Sequence, residues 1–245
     1  MRPLRTSDGL DLVGHRRLTD AAERATIVIV HGFNASASCP NVEALADALH
    51  DDNFDVITYD ARGHGRSGGE STLGDYEQHD VAAAVALART RSPHVVLVGA
   101  SMGAIATLRY AATDPEIAGV VAVSCPAEWR LPRNLRGVLA VAMTRTPVGR
   151  RVTTRLSGVR VAARWTNPPP PVELAPCLAM PVTYVHGTED RFIAVRDAAV
   201  LYDATPEPRR LMVVPGMGHA FAPVAIEPVR DAVEWALASR LSATS

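Results

Sequence analysis

Three residues in this chain are of the types that together attack a carbonyl carbon: Ser101, Asp190 and His219. A serine hydroxyl is a weak nucleophile, so it needs a base to take its proton and a third group to orient that base. Ser101 stands at the centre of Gly99-Ala100-Ser101-Met102-Gly103, directly after the apolar run His94-Val95-Val96-Leu97-Val98. A strand that ends in Gly-x-Ser-x-Gly and runs into the helix-prone Ala104-Ile105-Ala106-Thr107-Leu108 is a nucleophile elbow. The backbone at such an apex takes strained angles, and the positions around it must lack bulk. Gly99 and Gly103 meet that need, and Ala104 keeps the next position small. The Ser101 hydroxyl is therefore expected at the end of a sheet and the N-terminus of a helix.

The pentapeptide alone recurs by chance in roughly one chain in ten of this length. Two segments downstream of it give it weight. Pro181-Val182-Thr183-Tyr184-Val185 has the pattern of a strand and leads into His186-Gly187-Thr188-Glu189-Asp190. Arg210-Leu211-Met212-Val213-Val214 has the same pattern and leads into Pro215-Gly216-Met217-Gly218-His219. An acid and then a histidine each fall just past a strand end, in the chain order Ser, Asp, His. Glu189 offers a second carboxylate beside Asp190. Of the other histidines, His31 and His186 precede a glycine in strand-end turns, and His64 lies in an Arg/Gly turn. His15, His50, His79 and His94 fall at surface or helix-end positions.

Elements of alternating type must carry these residues. Residues 4–12 alternate around Asp8-Gly9 as a β-hairpin. Runs 26–30, 54–59, 94–98 and 117–123 are strands, of which 26–30 is continuous and β-branched, as in a parallel sheet buried on both faces. Helices are predicted over 40–52, 76–91 and 102–112 from apolar residues at helical spacing. Strands alternating with helices specify an α/β chain with a mostly parallel sheet flanked by helices. The alternation breaks at Pro126 and resumes near Pro181. Between them lie helix-like pieces at 134–145 and 148–164, then Pro168-Pro169-Pro170-Pro171, which is expected to be an extended strap.

The chain resembles the α/β-hydrolases, in particular the single-domain, capped serine esterases and lipases, close to monoacylglycerol lipases and serine aminopeptidases. The resemblance spans nearly the whole chain. Thr26-Ile27-Val28-Ile29-Val30-His31-Gly32-Phe33 is similar to the family's oxyanion strand and turn. Tyr59-Asp60-Ala61-Arg62-Gly63-His64-Gly65-Arg66-Ser67 is similar to its next strand-end turn. The elbow, Gly187-x-x-Asp190 and Gly218-His219 come after these in order. The resemblance implies an α/β-hydrolase fold with a core of 1–125 and 176–245. It also implies a small helical lid, 126–175, inserted between core strands six and seven. It favours Asp190 over Glu189 as the acid, and places one oxyanion donor at the backbone N–H of Phe33, with Asn34 beside it as the other choice. The N–H of Met102, after the nucleophile, is the second donor. The implied activity is hydrolysis of a carboxylic ester through an acyl-enzyme, with no metal or organic cofactor. Thioesterase, amidase, peptidase, C–C hydrolase and perhydrolase chemistry use the same triad. Dehalogenase and epoxide hydrolase relatives carry Asp at the elbow, where this chain has Ser101. A ligand-binding protein on this fold is the remaining alternative.

The chain has 245 residues, 47% hydrophobic and 21% charged, with net charge −1. That is one domain's worth of core, with no global field to steer it to nucleic acid or membrane. No apolar run reaches the ~20 residues of a transmembrane helix, and the N-terminus has no signal-peptide pattern. With Cys39, Cys125 and Cys177 an odd, scattered set, the expected compartment is the cytoplasm. Gly63-His64-Gly65-Arg66-Ser67-Gly68 matches the dinucleotide Gly-x-Gly-x-x-Gly formally, but it runs on into loop sequence where a helix would be needed.

All 25 basic residues are arginines, and nine of them lie in 126–175 against two acids, Glu128 and Glu173. This imbalance has two readings: a solvated face paired with acids on the core, or a basic lid that attracts anionic substrates or an anionic lipid surface. Trp129, Leu131, Leu135, Leu139, Met143 and Trp165 either line an acyl pocket or form the lid's own small core. Whether the protein is a monomer or a homodimer is left open by the sequence.

Overall fold

The computed structural model of the protein describes residues 4–19, 24–129, 135–164 and 166–244. Strands β1 (Leu4–Arg5) and β2 (Asp11–Leu12) pair antiparallel, with Leu4 opposite Leu12. Gly9 sits between them at φ +87°, a backbone that glycine adopts without strain. The remaining strands are β3 (Gly14–Arg17), β4 (Thr26–Val30), β5 (Asp55–Tyr59), β6 (Val95–Ala100), β7 (Gly119–Val123), β8 (Val182–Gly187) and β9 (Arg209–Val214). They form one seven-stranded sheet in the order β3-β5-β4-β6-β7-β8-β9. Only β3 runs antiparallel to its neighbour.

Every residue of β4, β5, β6, β7 and β8 is buried. Helices cover both faces of these strands, which explains their continuous rather than alternating apolar sequences. On one face α2 (Glu77–Ala88), α3 (Met102–Ala111) and α7 (Val195–Ala204) pack over Val28, Ile57, Leu97 and Val120. On the other, α1 (Pro40–Asp51) and α8 (Ile226–Thr244) pack over Ile27, Val96, Val98 and Val121. Val30 lies opposite Gly99, Ala100 opposite Val123 and Gly187 opposite Val214. The carboxyl ends of the central strands therefore finish together, and the turns leaving them meet at one edge.

The segment between β7 and β8 carries α4 (Leu135–Arg145), α5 (Pro147–Ser157) and a short α6 (Pro171–Leu174). It leaves β7, the fifth strand of the seven-stranded sheet in chain order, and re-enters at β8, the sixth; the two hairpin strands lie outside that sheet, and β3, which the sequence pattern does not mark, adds one to it. The helix expected over 148–164 ends at Ser157, because Gly158 takes the left-handed conformation at φ 73° and closes it. The Thr146 side chain caps its start by accepting from the Gly149 N–H at 2.9 Å. Beyond it, Ser71 and Val161 form a short parallel bridge. The prolines are extended at Pro170, but Pro171 opens α6, where its missing N–H is harmless.

Polar contacts fasten this segment to the loop after β5 and to α3. The N–H of Ser71 donates to Arg160 O at 2.7 Å and that of Ala162 to Ser71 O at 2.9 Å. The Arg160 guanidinium donates to the carbonyls of Ser67 and Gly69. Asp75 accepts from the Thr166 hydroxyl, and Arg109 donates to Pro169 O. By contrast Val138, Leu139, Val141, Val148, Val152 and Leu156 on α4 and α5 face solvent. Among the described residues no helix is long and apolar enough to cross a membrane.

Candidate active site

Ser101 is the hinge between β6 and α3, with φ 53° and ψ −114°. The glycines on either side explain how the chain tolerates that strain. A methyl group on Gly103 would come within 2.2 Å of the Val30 carbonyl oxygen. One on Gly99 would lie 2.6 Å from the Gly103 carbonyl oxygen and the Thr107 hydroxyl. The elbow therefore sits directly on the end of β4. The Ser101 N–H donates to Val123 O at 2.9 Å, which ties the apex to β7 as well.

His219 comes from the turn after β9, and Asp190 from the turn after β8. These two turns touch backbone to backbone: a methyl on Gly187 would lie 2.0 Å from the Met217 carbonyl oxygen. The Glu189 N–H donates to that same oxygen at 3.0 Å. The Glu189 side chain is left in solvent, while the Asp190 carboxylate is wholly buried.

His219 Nδ1 lies 2.8 Å from Asp190 Oδ2, and its Nε2 lies 3.0 Å from Ser101 Oγ. An ionised carboxylate only accepts, so Nδ1 carries the proton and Nε2 is left to accept from the serine hydroxyl. The other carboxylate oxygen of Asp190 accepts from the N–H groups of Phe192 and Ile193, each at 2.9 Å. Burial pushes the Asp190 carboxyl up. The hydrogen bonds from His219 and from those two backbone groups outweigh it and hold the pKa at about 2.

The remaining expected residues fall around this line. The Met102 N–H is the first of α3 and has no intrahelical acceptor. Gly32 lies against the elbow, its Cβ position 3.5 Å from Ser101 Cβ, which brings Phe33 alongside. Phe33 is half-buried and Asn34 exposed. The His64 ring bridges the carbonyls of Arg62 and Phe33, with Nε2 2.7 Å from Phe33 O. His31 is buried: its Nε2 accepts from the Ala61 N–H at 3.0 Å, so Nδ1 donates to Gly32 O at 2.8 Å. Burial, helped by the neighbouring His64, lowers the His31 pKa to about 4, which keeps the ring neutral. His186 donates to Ile193 O at 3.0 Å behind the Asp190 turn. Both histidines therefore hold turns in place.

Ser124 has a part that no sequence motif marks. It succeeds β7 at φ 50°, and its hydroxyl accepts from the Ala220 N–H at 3.1 Å, steadying the turn that carries His219. Phe192 is likewise unmarked in the sequence; it is 62% exposed and its ring lies 5.2 Å from that of His219. Of the apolar residues expected near the site, Trp129 and Leu139 are exposed, and the Trp129 indole donates to Pro168 O at 2.8 Å. Leu131, Trp165 and the Leu135 side chain lie outside the described residues. Among the described residues no cluster of His, Cys, Asp and Glu is gathered as a metal ion would require.

Comparison with known proteins places this geometry in a family. In solved structures the chain is similar to an esterase of Pyrococcus furiosus, Pf2001. The TM-score is 0.75 and the identity 22%, over 98% of this chain and 89% of that one. It is also similar to a monoacylglycerol lipase of Paleococcus ferrophilus, at TM-score 0.67 and 22% identity, over 93% and 99% of the two chains. An uncharacterized Bacillus subtilis protein, YqkD, is 28% identical over 217 residues. That match covers 80% of this chain and 65% of YqkD, so this chain spans less than two thirds of its relative's length. The sequence profile described as serine aminopeptidase, S33, matches residues 21–168, more than half of the chain. This protein belongs to that family of α/β-hydrolases.

Proposed function

We propose that Ser101, His219 and Asp190 are a catalytic triad and that the protein hydrolyses a carboxylic ester of a small acyl substrate through an acyl-enzyme. The observation that carries this is the unbroken line from Ser101 Oγ to His219 at 3.0 Å and from His219 to Asp190 at 2.8 Å. In this reaction Ser101 Oγ attacks the carbonyl carbon while His219 Nε2 takes its proton. The imidazolium, held by Asp190, then protonates the leaving alcohol. Water activated by the same imidazole releases the acid. The negative oxygen of each tetrahedral intermediate is met by the N–H groups of Met102 and Phe33, at the positive end of α3. No step needs a metal or an organic cofactor. Residues 126–175 would act as the lid and choose the acyl group.

The likeness to an esterase and a lipase supports the ester bond, and the family's description as serine aminopeptidases gives a second reading, an amide or peptide bond. The first experiment is intact-mass labelling with a fluorophosphonate. It should give one adduct on the wild type and none on Ser101→Ala. Paired p-nitrophenyl ester and p-nitroanilide substrates then separate the bonds, with the ester expected to turn over faster. Folded wild type that takes no adduct would instead indicate a ligand-binding protein.

A further inference from the structure

We propose that α5 is a docking surface for an anionic lipid bilayer. Val148, Val152 and Leu156 repeat every four residues and so form one line along the helix. They are 68%, 38% and 77% exposed. A helix of a globular protein usually turns such a line onto a core. Here α5 meets its neighbour through a different face. A methyl on Gly149 would lie 2.0 Å from the Ala142 carbonyl oxygen, and the Thr153 hydroxyl donates to Met143 O at 3.0 Å. Small and polar residues seat the helix on α4, and the apolar line is left outside.

The line has a charged border. Arg151 and Arg155 come three residues after Val148 and Val152, which puts them beside it on the same exposed side. Helix α5 contains no acid. Neither arginine forms an ion pair among the described residues. The whole 126–175 segment carries nine arginines against Glu128 and Glu173, while the chain as a whole is at −1. A narrow apolar line flanked by cations is the pattern of a helix that lies in the interface of an anionic membrane.

Size and charge decide against other occupants. An 11-residue helix is about 16 Å long. One face of it falls well short of the ~800 Å² that a stable protein interface covers on each partner. A second copy seated face to face would bring its own Arg151 and Arg155 against these. A bilayer needs only shallow insertion of the three side chains, with the arginines at the headgroup phosphates.

The test is flotation of the purified protein with phosphatidylcholine vesicles, with and without about one third phosphatidylserine. The readout is binding, so it does not depend on the hydrolase reading. The protein should float with the anionic vesicles and not with the neutral ones. Binding should fall at least about tenfold in the combined Val148→Ser, Val152→Ser, Leu156→Ser variant. A comparable loss is expected for Arg151→Gln with Arg155→Gln, and for wild type in 1 M salt, where screening shrinks to about 3 Å. Circular dichroism establishes that each variant is folded. Equal flotation of wild type and both variants, or no flotation of folded wild type, overturns the proposal. So does a concentration-dependent dimer that the serine variant abolishes, or binding to soluble polyglutamate as tight as to vesicles, since the apolar line then has no part.

Discussion

The strand-end turns and the α4–α5 pair are built by opposite means. In the turns, backbone lies on backbone: Gly103 against Val30 O and Gly187 against Met217 O leave no room for a methyl group. The polar groups that set the reaction line have fixed partners there, down to the two N–H groups that hold Asp190 Oδ1. In α4 and α5 the contact between helices is equally close at Gly149, but the outward face is apolar and cationic side chain with little to rest on. The first region fixes distances and the second presents chemistry. Reaction geometry tolerates errors of only about 1 Å, whereas a surface for acyl chains or lipid works through area and charge. Substitutions should therefore act on the two regions through different readouts, activity in one and binding in the other.

The largest effect is expected at the centre of the first region. Asp190→Asn should lower kcat about 10⁴-fold, because the amide would offer its own N–H to His219 Nδ1 and reverse the tautomer. The two backbone N–H groups can still donate to the amide oxygen, so the melting temperature should move little. Hydrolysis of a short p-nitrophenyl ester and a thermal melt measure both. The pH profile adds a sign. The Asp190 pKa is depressed from 3.8 to about 2. Its carboxylate is therefore fully ionised above the unfolded value and is lost only as pH falls through about 2. Any decline in wild-type activity between pH 7 and pH 4 must come from another group.

Gly187→Ala tests the backbone contact itself. The added methyl would push the Asp190 turn away from the His219 turn, with an expected loss of about 10² in kcat/KM and about 1–3 kcal/mol of stability. Gly158→Ala is its counterpart at the end of α5. There the Cβ meets nothing within 4 Å, and only the φ of 73° resists it. About 1 kcal/mol of stability should be lost, with kcat unchanged. Similar activity losses in the two variants would erase the contrast between the regions.

His31 links the first region to acid stability. Its pKa falls from 6.5 unfolded to about 4 folded, chiefly through burial. The unfolded chain thus binds the proton first, and stability is lost as pH drops from about 6.5 toward 4. The shift corresponds to about 3 kcal/mol across that window. Urea unfolding at pH 7 and pH 4.5 should show the loss, and His31→Gln should flatten it even though that variant starts less stable.

The contrast between regions also governs what is legible in the sequence. Strands β4, β6 and β7 are legible because burial on both faces demands unbroken β-branched runs. The elbow is legible because steric exclusion around Ser101 admits only glycine at two places. Asp190 and His219 are legible because each falls just past a strand-patterned run, while the preference for Asp190 over Glu189 comes from the family resemblance; in the fold it is the Asp190 carboxylate that meets His219. Ser124 is not, since a serine after a strand has no signature, and its hydroxyl matters only because the fold brings Ala220 to it. The end of α5 is hidden because Arg160, Ala162 and Ala163 continue a helical composition past Gly158. Nor does helical spacing in α5 reveal which of two candidate faces meets α4: the apolar face is available, and the small one is used.

The smallest effects are expected on that outward face, and they complete the comparison. Leu156→Ser removes a side chain that is 77% exposed, and Arg155→Gln removes a charge with no ion-pair partner among the described residues. Neither leaves a cavity or an unpaired buried group, so unfolding free energies should stay within about 0.5 kcal/mol of wild type. Turnover of a soluble short-chain ester should be unchanged as well, because neither side chain is part of the Ser101–His219–Asp190 line. A loss above about 1 kcal/mol in either variant would mean that this face of α5 packs against part of the chain, and its solvent exposure could no longer serve as a sign of recognition. Unchanged stability and turnover together with weaker flotation on anionic vesicles would separate the two regions completely.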